Sequence, residues 1–195
     1  MENTMSQQAN INTPVGQDSW LNRYYYVRAA FSALWLIAAI TVGKSSAAAS
    51  ALLLIGYPAW DALANFIDGK RSGGLARNRT QLINVLVSLA VALALAVSLP
   101  DMHRVLGVFG AWAILSGLLQ LGTALRRWKA HGAQWAMVLS GAQSALAGAF
   151  FISQAQLPAE PSIATVAGYA GFGAFYFLVS ALSLSFAARR RQRTA

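Results

Sequence analysis

The sequence predicts an all-α, polytopic membrane protein of six transmembrane helices, and three observations predict it. Apolar residues make up 56% of the 195 residues and charged residues 11%, where a soluble domain carries about a quarter charged. Six stretches stay apolar over the roughly 20 residues that a helix needs to cross a bilayer core. Once those stretches are threaded in series, 13 of the 15 lysines and arginines fall on one side. The composition excludes a disordered chain, and the absence of cysteine excludes a disulfide-stapled secreted domain. A soluble fold with so little charge would expose large apolar patches and aggregate.

The elements follow in order. Met1–Gln17 is polar, lacks the basic-then-apolar order of a signal peptide, and is expected to be unstructured. Asp18 or Ser19 is placed to cap a short interfacial turn that lays Trp20 on the membrane surface. Residues 1–22 thus form an N-terminal tail, 23–188 the transmembrane domain and 189–195 a basic tail. The spans are expected near Tyr24–Val42, Ala47–Ile67, Leu82–Leu99, Val105–Leu125, Ala133–Ile152 and Ile163–Ala187. None shows the sustained alternation of a transmembrane β-strand. The links Gly43–Ser46 and Pro100–Arg104 are short, which makes successive helices antiparallel neighbours. Ser153–Ser162 carries Pro158 and Pro161, which stop helix propagation.

The positive charge sets the orientation. With the N-terminus inside, the inner side receives Arg23 and Arg28, then Lys70, Arg71, Arg77 and Arg79, then Arg126, Arg127 and Lys129, and finally Arg189, Arg190, Arg191 and Arg193. The other side keeps Lys44 and Arg104. The positive-inside bias therefore puts both termini in the cytoplasm. The same bias explains the net charge of +9 as a topology signal rather than a nucleic-acid surface, with anionic headgroups as the partner of the basic ends. Trp20, Tyr24, Tyr25, Tyr26, Trp128 and Trp135 fall where an inner aromatic belt is expected.

The even spans resemble one another. Tyr57-Pro58-Ala59-Trp60, Phe109-Gly110-Ala111-Trp112 and Phe172-Gly173-Ala174-Phe175 share an aromatic–small–Ala–aromatic pattern at mid-span. The pattern suggests three repeated helical hairpins, each an odd helix followed by an even one. With these motifs, the short loops and the basic inner ends, the chain resembles the HdeD-type family of small bacterial inner-membrane proteins. Ser116–Lys129, SGLLQLGTALRRWK, is the most family-like stretch, and the likeness covers about Tyr24 to Arg190. The resemblance implies a bacterial inner-membrane location and a link to acid stress. It implies no catalytic residues, and the two aspartates of helix two depart from its plain apolar repeat.

Helix two carries the most chemistry. Asp61, Asn65 and Asp68 stand at i, i+4 and i+7 and share one face. An aspartate at mid-span costs about 2.5–3.5 kcal/mol, whereas each large apolar side chain returns only about 0.3–0.6. The span is marginal alone, so this polar face is expected to turn inward. It reads either as a proton- or cation-binding path to the cytoplasm or as a packing device paired with polar neighbours. Arg28, one turn inside helix one, is expected at the depth of Asp68, either pairing with it or snorkelling to the headgroups. Pro58 frees the carbonyl of Leu54.

Asn84, Gln120, Gln143, Tyr176 and Ser180 recur at helical spacing with Ser88, Ser116, Ser140 and Ser144. They either line a polar cavity or bond between helices. Ser140, Ser144 and Gly148, and likewise Gly107 and Ala111, form small-residue faces suited to close packing or to self-association. His103 and His131 lie on opposite sides, so no metal or other cofactor is expected, and no catalytic motif appears. The function expected is therefore non-enzymatic: a stress-linked protein that senses or conducts protons through the Asp61 face. A small-solute transporter or channel, or a membrane scaffold, stands as the alternative.

Overall fold

The computed structural model describes residues 14–128 and 134–194. They form six helices: α1 (Pro14–Ala38), which continues as a π-helical turn (Ala39–Gly43), α2 (Ala47–Arg71), α3 (Arg79–Ser98), α4 (Met102–Arg127), α5 (Gln134–Gln154) and α6 (Ile163–Thr194). Six helices are long and apolar enough to cross a membrane. Their outward faces carry side chains that water would not tolerate in such number, among them Leu34, Leu52, Leu93, Val97 and Leu146. The chain is a multi-pass membrane protein.

Two boundaries differ from expectation. α1 is already helical at Pro14, so Asp18 and Ser19 lie inside a continuous helix rather than capping a separate turn. Met1–Thr13 lies outside the described residues, as do Lys129 and His131. α6 runs on to Thr194, because arginine is a good helix former and its charge suits a helix C-terminus. The turns have local causes. Ser46 caps α2 through the Ala49 N–H at 3.3 Å, and Asp101 caps α4 through His103 and Arg104 N–H at 3.0 and 3.1 Å. Between α2 and α3, Gly73 and Gly74 adopt φ of 99° and 93°, a region that side chains strongly disfavour.

The helices close into a ring in chain order, with α6 returning to α1. The closest pairs are α2 with α3, α4 with α5, and α6 with α1; the contacts α1–α2, α3–α4 and α5–α6 are sparser. Closest packing therefore joins an even helix to the odd helix that follows it, a frame shifted from the odd-then-even hairpins the repeat suggested. The third copy of the motif also faces differently. Tyr57, Phe109 and Trp112 are buried, whereas Phe172 and Phe175 are more than half exposed.

The α4–α5 contact has a clear sequence cause. A Cβ on Gly117 would come 2.5 Å from Gly141 O, and one on Gly141 would come 2.8 Å from Gly117 O. Gly110 and Gly148 meet in the same way further along. Backbones approach this closely only where side chains are missing, which is how helices associate in lipid without a hydrophobic driving force. The small-residue face of α5 is thus used within the chain, while a Cβ on Gly107 would meet nothing within 4 Å.

The core fills only one half of the ring. Trp35, Leu54, Leu95, Val105, Leu106, Phe109, Phe151, Ile163 and Val166 come from all six helices and plug the end opposite the arginine clusters. The half nearer those clusters, here the basic end, is hollow.

Candidate functional site

The hollow is a cavity of about 150 Å³ lined by side chains from all six helices. Its entrance reaches Leu21, Asp68, Gln81 and Thr123 near the basic end, and its floor reaches Ser32, Tyr57, Trp112, Ser144 and Tyr169 against the plug. Arg28, Asp61, Asn65 and Asp68 all line it, as do Asn84, Gln120, Gln143 and Tyr176. Ser180 does not: it is buried elsewhere, because α6 at that level lies against α1, where Asn22 donates to Ala181 O and Ser185 Oγ.

One wall is charged and internally satisfied. Arg28 on α1 forms an ion pair with Asp61 on α2, not with Asp68. The reason is register. Arg28 stands fifteen residues before Gly43 and Asp61 fifteen residues after Ser46, so a tight turn brings them level. The same register sets Ser32 beside Tyr57 at 3.3 Å and lets Trp35 Nε1 donate to Leu53 O at 2.8 Å. The indole thus takes the carbonyl next to the one that Pro58 frees.

The Asp61 carboxylate accepts three side-chain hydrogen bonds, from Arg28 on Oδ1 and from Asn65 at 3.0 Å and Ser88 at 2.8 Å on Oδ2. Ser88 in turn accepts from Trp112 Nε1 at 3.2 Å. Arg28 also donates to the Tyr24 hydroxyl at 2.9 Å, and its guanidinium carbon lies 4.4 Å from the Phe177 ring centre. The network joins five helices around one carboxylate. A buried ion pair needs such additional hydrogen bonds to offset its desolvation.

Asp68, two turns nearer the entrance, has no ion-pair partner among the described residues. Gln81 Nε2 donates to it at 3.2 Å and Trp20 Nε1 at 3.4 Å. Trp20 is therefore drawn inward rather than laid on the surface, and Arg71 stacks on its ring at 4.2 Å. Tyr24 and Tyr25 line the cavity, while Tyr26, Trp128 and Trp135 are exposed.

The opposite wall is neutral and open-handed. Asn84, Ser116, Gln120, Ser140, Gln143 and Tyr176 line the cavity without a side-chain hydrogen bond to another described residue. At the floor the polar groups are satisfied: Ser144 donates to Ala113 O at 2.8 Å and so accepts from Tyr169 at 2.7 Å. His103 opens α4 rather than sitting in a loop, with Nδ1 3.1 Å from Ala155 O. No three His, Cys, Asp or Glu side chains converge as a metal site among the described residues.

Sequence reasoning placed Ser88, Tyr57 and Trp112 in spans but did not join them to Asp61. Gln81 and Ser32 were not singled out; equal spacing from the turns was the signal that would have found them. Compared with models of protein families, with characterised proteins and with solved structures, the chain finds no match.

Proposed function

We propose that this protein takes up a small polar solute into the central cavity, as a membrane binding protein or carrier entered from one side. One observation carries the reading: a cavity built by all six helices, lined by charged, amide and hydroxyl side chains among aromatic and aliphatic ones, and closed by an apolar plug at the far end. Amides and hydroxyls at membrane depth that have no hydrogen-bond partner among the described residues call for a polar occupant, since lipid offers none. The positive-inside bias makes the basic end cytoplasmic and hence the cavity cytoplasm-facing. A bacterial inner-membrane location, HdeD-type membership with its acid-stress link, and contact of the arginine-rich ends with anionic headgroups belong to the same proposal; they rest on the repeat motifs and the charge asymmetry. Proton conduction through Asp61 has less support, because that carboxylate is already held by three donors and an apolar cluster fills the far end.

The absence of native cysteine gives a clean test. Gln120→Cys and Gln143→Cys are expected to react with a membrane-impermeant thiol reagent from the cytoplasmic side only. Leu106→Cys, in the plug, is expected to stay unreactive from both. Labelling of neither cavity position would overturn the proposal, and labelling from both sides would make the protein a channel.

A further inference from the structure

We infer that the solute is a small aromatic monocarboxylate, its carboxylate seated on the unused N–H groups of Arg28 and its ring among the aromatic side chains around them. This deepens the solute-cavity reading and rests on it. A guanidinium carries five N–H donors in a rigid fork that matches a carboxylate. Arg28 directs two side-chain hydrogen bonds, to Tyr24 and to Asp61, and lines the cavity. Three donors are left without an acceptor among the described residues. Asp61, in contrast, has both oxygens engaged. The charge pair therefore presents donors to an occupant rather than acceptors, which favours an oxyanion over an amine.

Size and lining narrow the class. The cavity holds about 150 Å³, and an apolar cavity of about that volume in another protein takes up benzene. Tyr57, Trp60, Phe172 and Phe177 line it within the same half as Arg28. The amides of Asn84, Gln120 and Gln143 supply further hydrogen-bonding groups for the second carboxylate oxygen or a ring substituent. Exposed Arg23, Lys70, Arg71 and Arg79 flank the entrance and raise the local concentration of anions. Asp68 opposes entry as a like charge, held by Gln81, Trp20 and Ser72; it makes the affinity tunable.

The test uses the full chain in lipid nanodiscs with benzoate as the probe, and benzylamine, benzamide and laurate as comparisons. Quenching of tryptophan emission reports on Trp60 and Trp112, which line the cavity. Protection of Gln143→Cys from the thiol reagent gives an independent reading. Benzoate is expected to bind saturably and to protect the cysteine, while benzylamine does neither. The paired variant Arg28→Gln with Asp61→Asn keeps hydrogen-bonding groups and removes both buried charges. It is expected to remain folded, to keep its cysteine reactive and to bind benzoate roughly tenfold or more weakly, as for loss of a charge-assisted pair. Asp68→Asn is expected to tighten benzoate several-fold. The inference is overturned if benzamide or benzylamine matches benzoate, if laurate exceeds it, or if the paired variant keeps full affinity. A reactive but unprotected cysteine sinks the carboxylate inference alone, whereas failure of both Gln120→Cys and Gln143→Cys to react sinks the cavity reading with it.

Discussion

Asp61 shows how a residue that is unfavourable in isolation becomes the centre of a site. Its carboxylate draws donors from α1, α2 and α3, and Trp112 of α4 supports one of them. Removing one member of such a pair strands the other charge in low dielectric. Arg28→Ala is therefore expected to destabilise the protein by about 3–5 kcal/mol, and neutralising both members together to cost much less. Thermal melting in detergent distinguishes the two, and equal losses would mean that the pair is not coupled. At this scale the sequence was partly legible. The face Asp61–Asn65–Asp68 follows from helical spacing, and four of the five residues expected to line a cavity do so. The partner of Arg28 was misplaced because depth was judged from the helix start, which proved ten residues earlier than Tyr24, rather than from the turn that fixes the register. Ser180 was misplaced because spacing along one helix says nothing about which neighbour covers it.

Among the elements, the α4–α5 pair is the most constrained. Gly110, Gly117, Gly141 and Gly148 let two backbones touch, so adding a methyl forces the helices apart. Gly148→Ala is expected to cost about 1–3 kcal/mol through overpacking. Gly107→Ala lies on the same helix as Gly110, where a Cβ meets nothing, and is expected to be neutral or to gain up to about 1 kcal/mol from lower backbone entropy. Melting of the two variants tests the assignment; similar losses would refute it. The helices themselves were legible because lipid imposes a long uninterrupted apolar run that no soluble element needs. Their pairing was not. The repeated motif marks which helices are alike, but contact is decided by where side chains are small, and the tight partners are the two pairs joined by basic-end loops and the pair of terminal helices, rather than the pairs joined at the far end.

For the whole molecule, fold class and charge asymmetry were open to reading from composition and order alone, since they are sums over many residues. The cavity was not, because a void depends on how six faces meet. Sidedness is the property most directly checked. Reporter tags on the two termini are expected to give cytoplasmic signals together, and opposite signals would break the orientation on which the solute reading depends.

The short links Gly43–Ser46 and Pro100–Arg104 and the longer Ser153–Ser162 all stitch together the sparsely packed neighbours, and all lie at the plugged end. The molecule is thus hemmed by chain links at one rim, while at the other its petals meet through side-chain contacts such as Trp20 with Asp68 and Arg71, like a tulip held at its base. Each petal is a closely packed pair of helices. Any widening large enough to admit or discharge a guest is cheapest where the petals part, at the arginine-fringed lip, and must leave the hem intact.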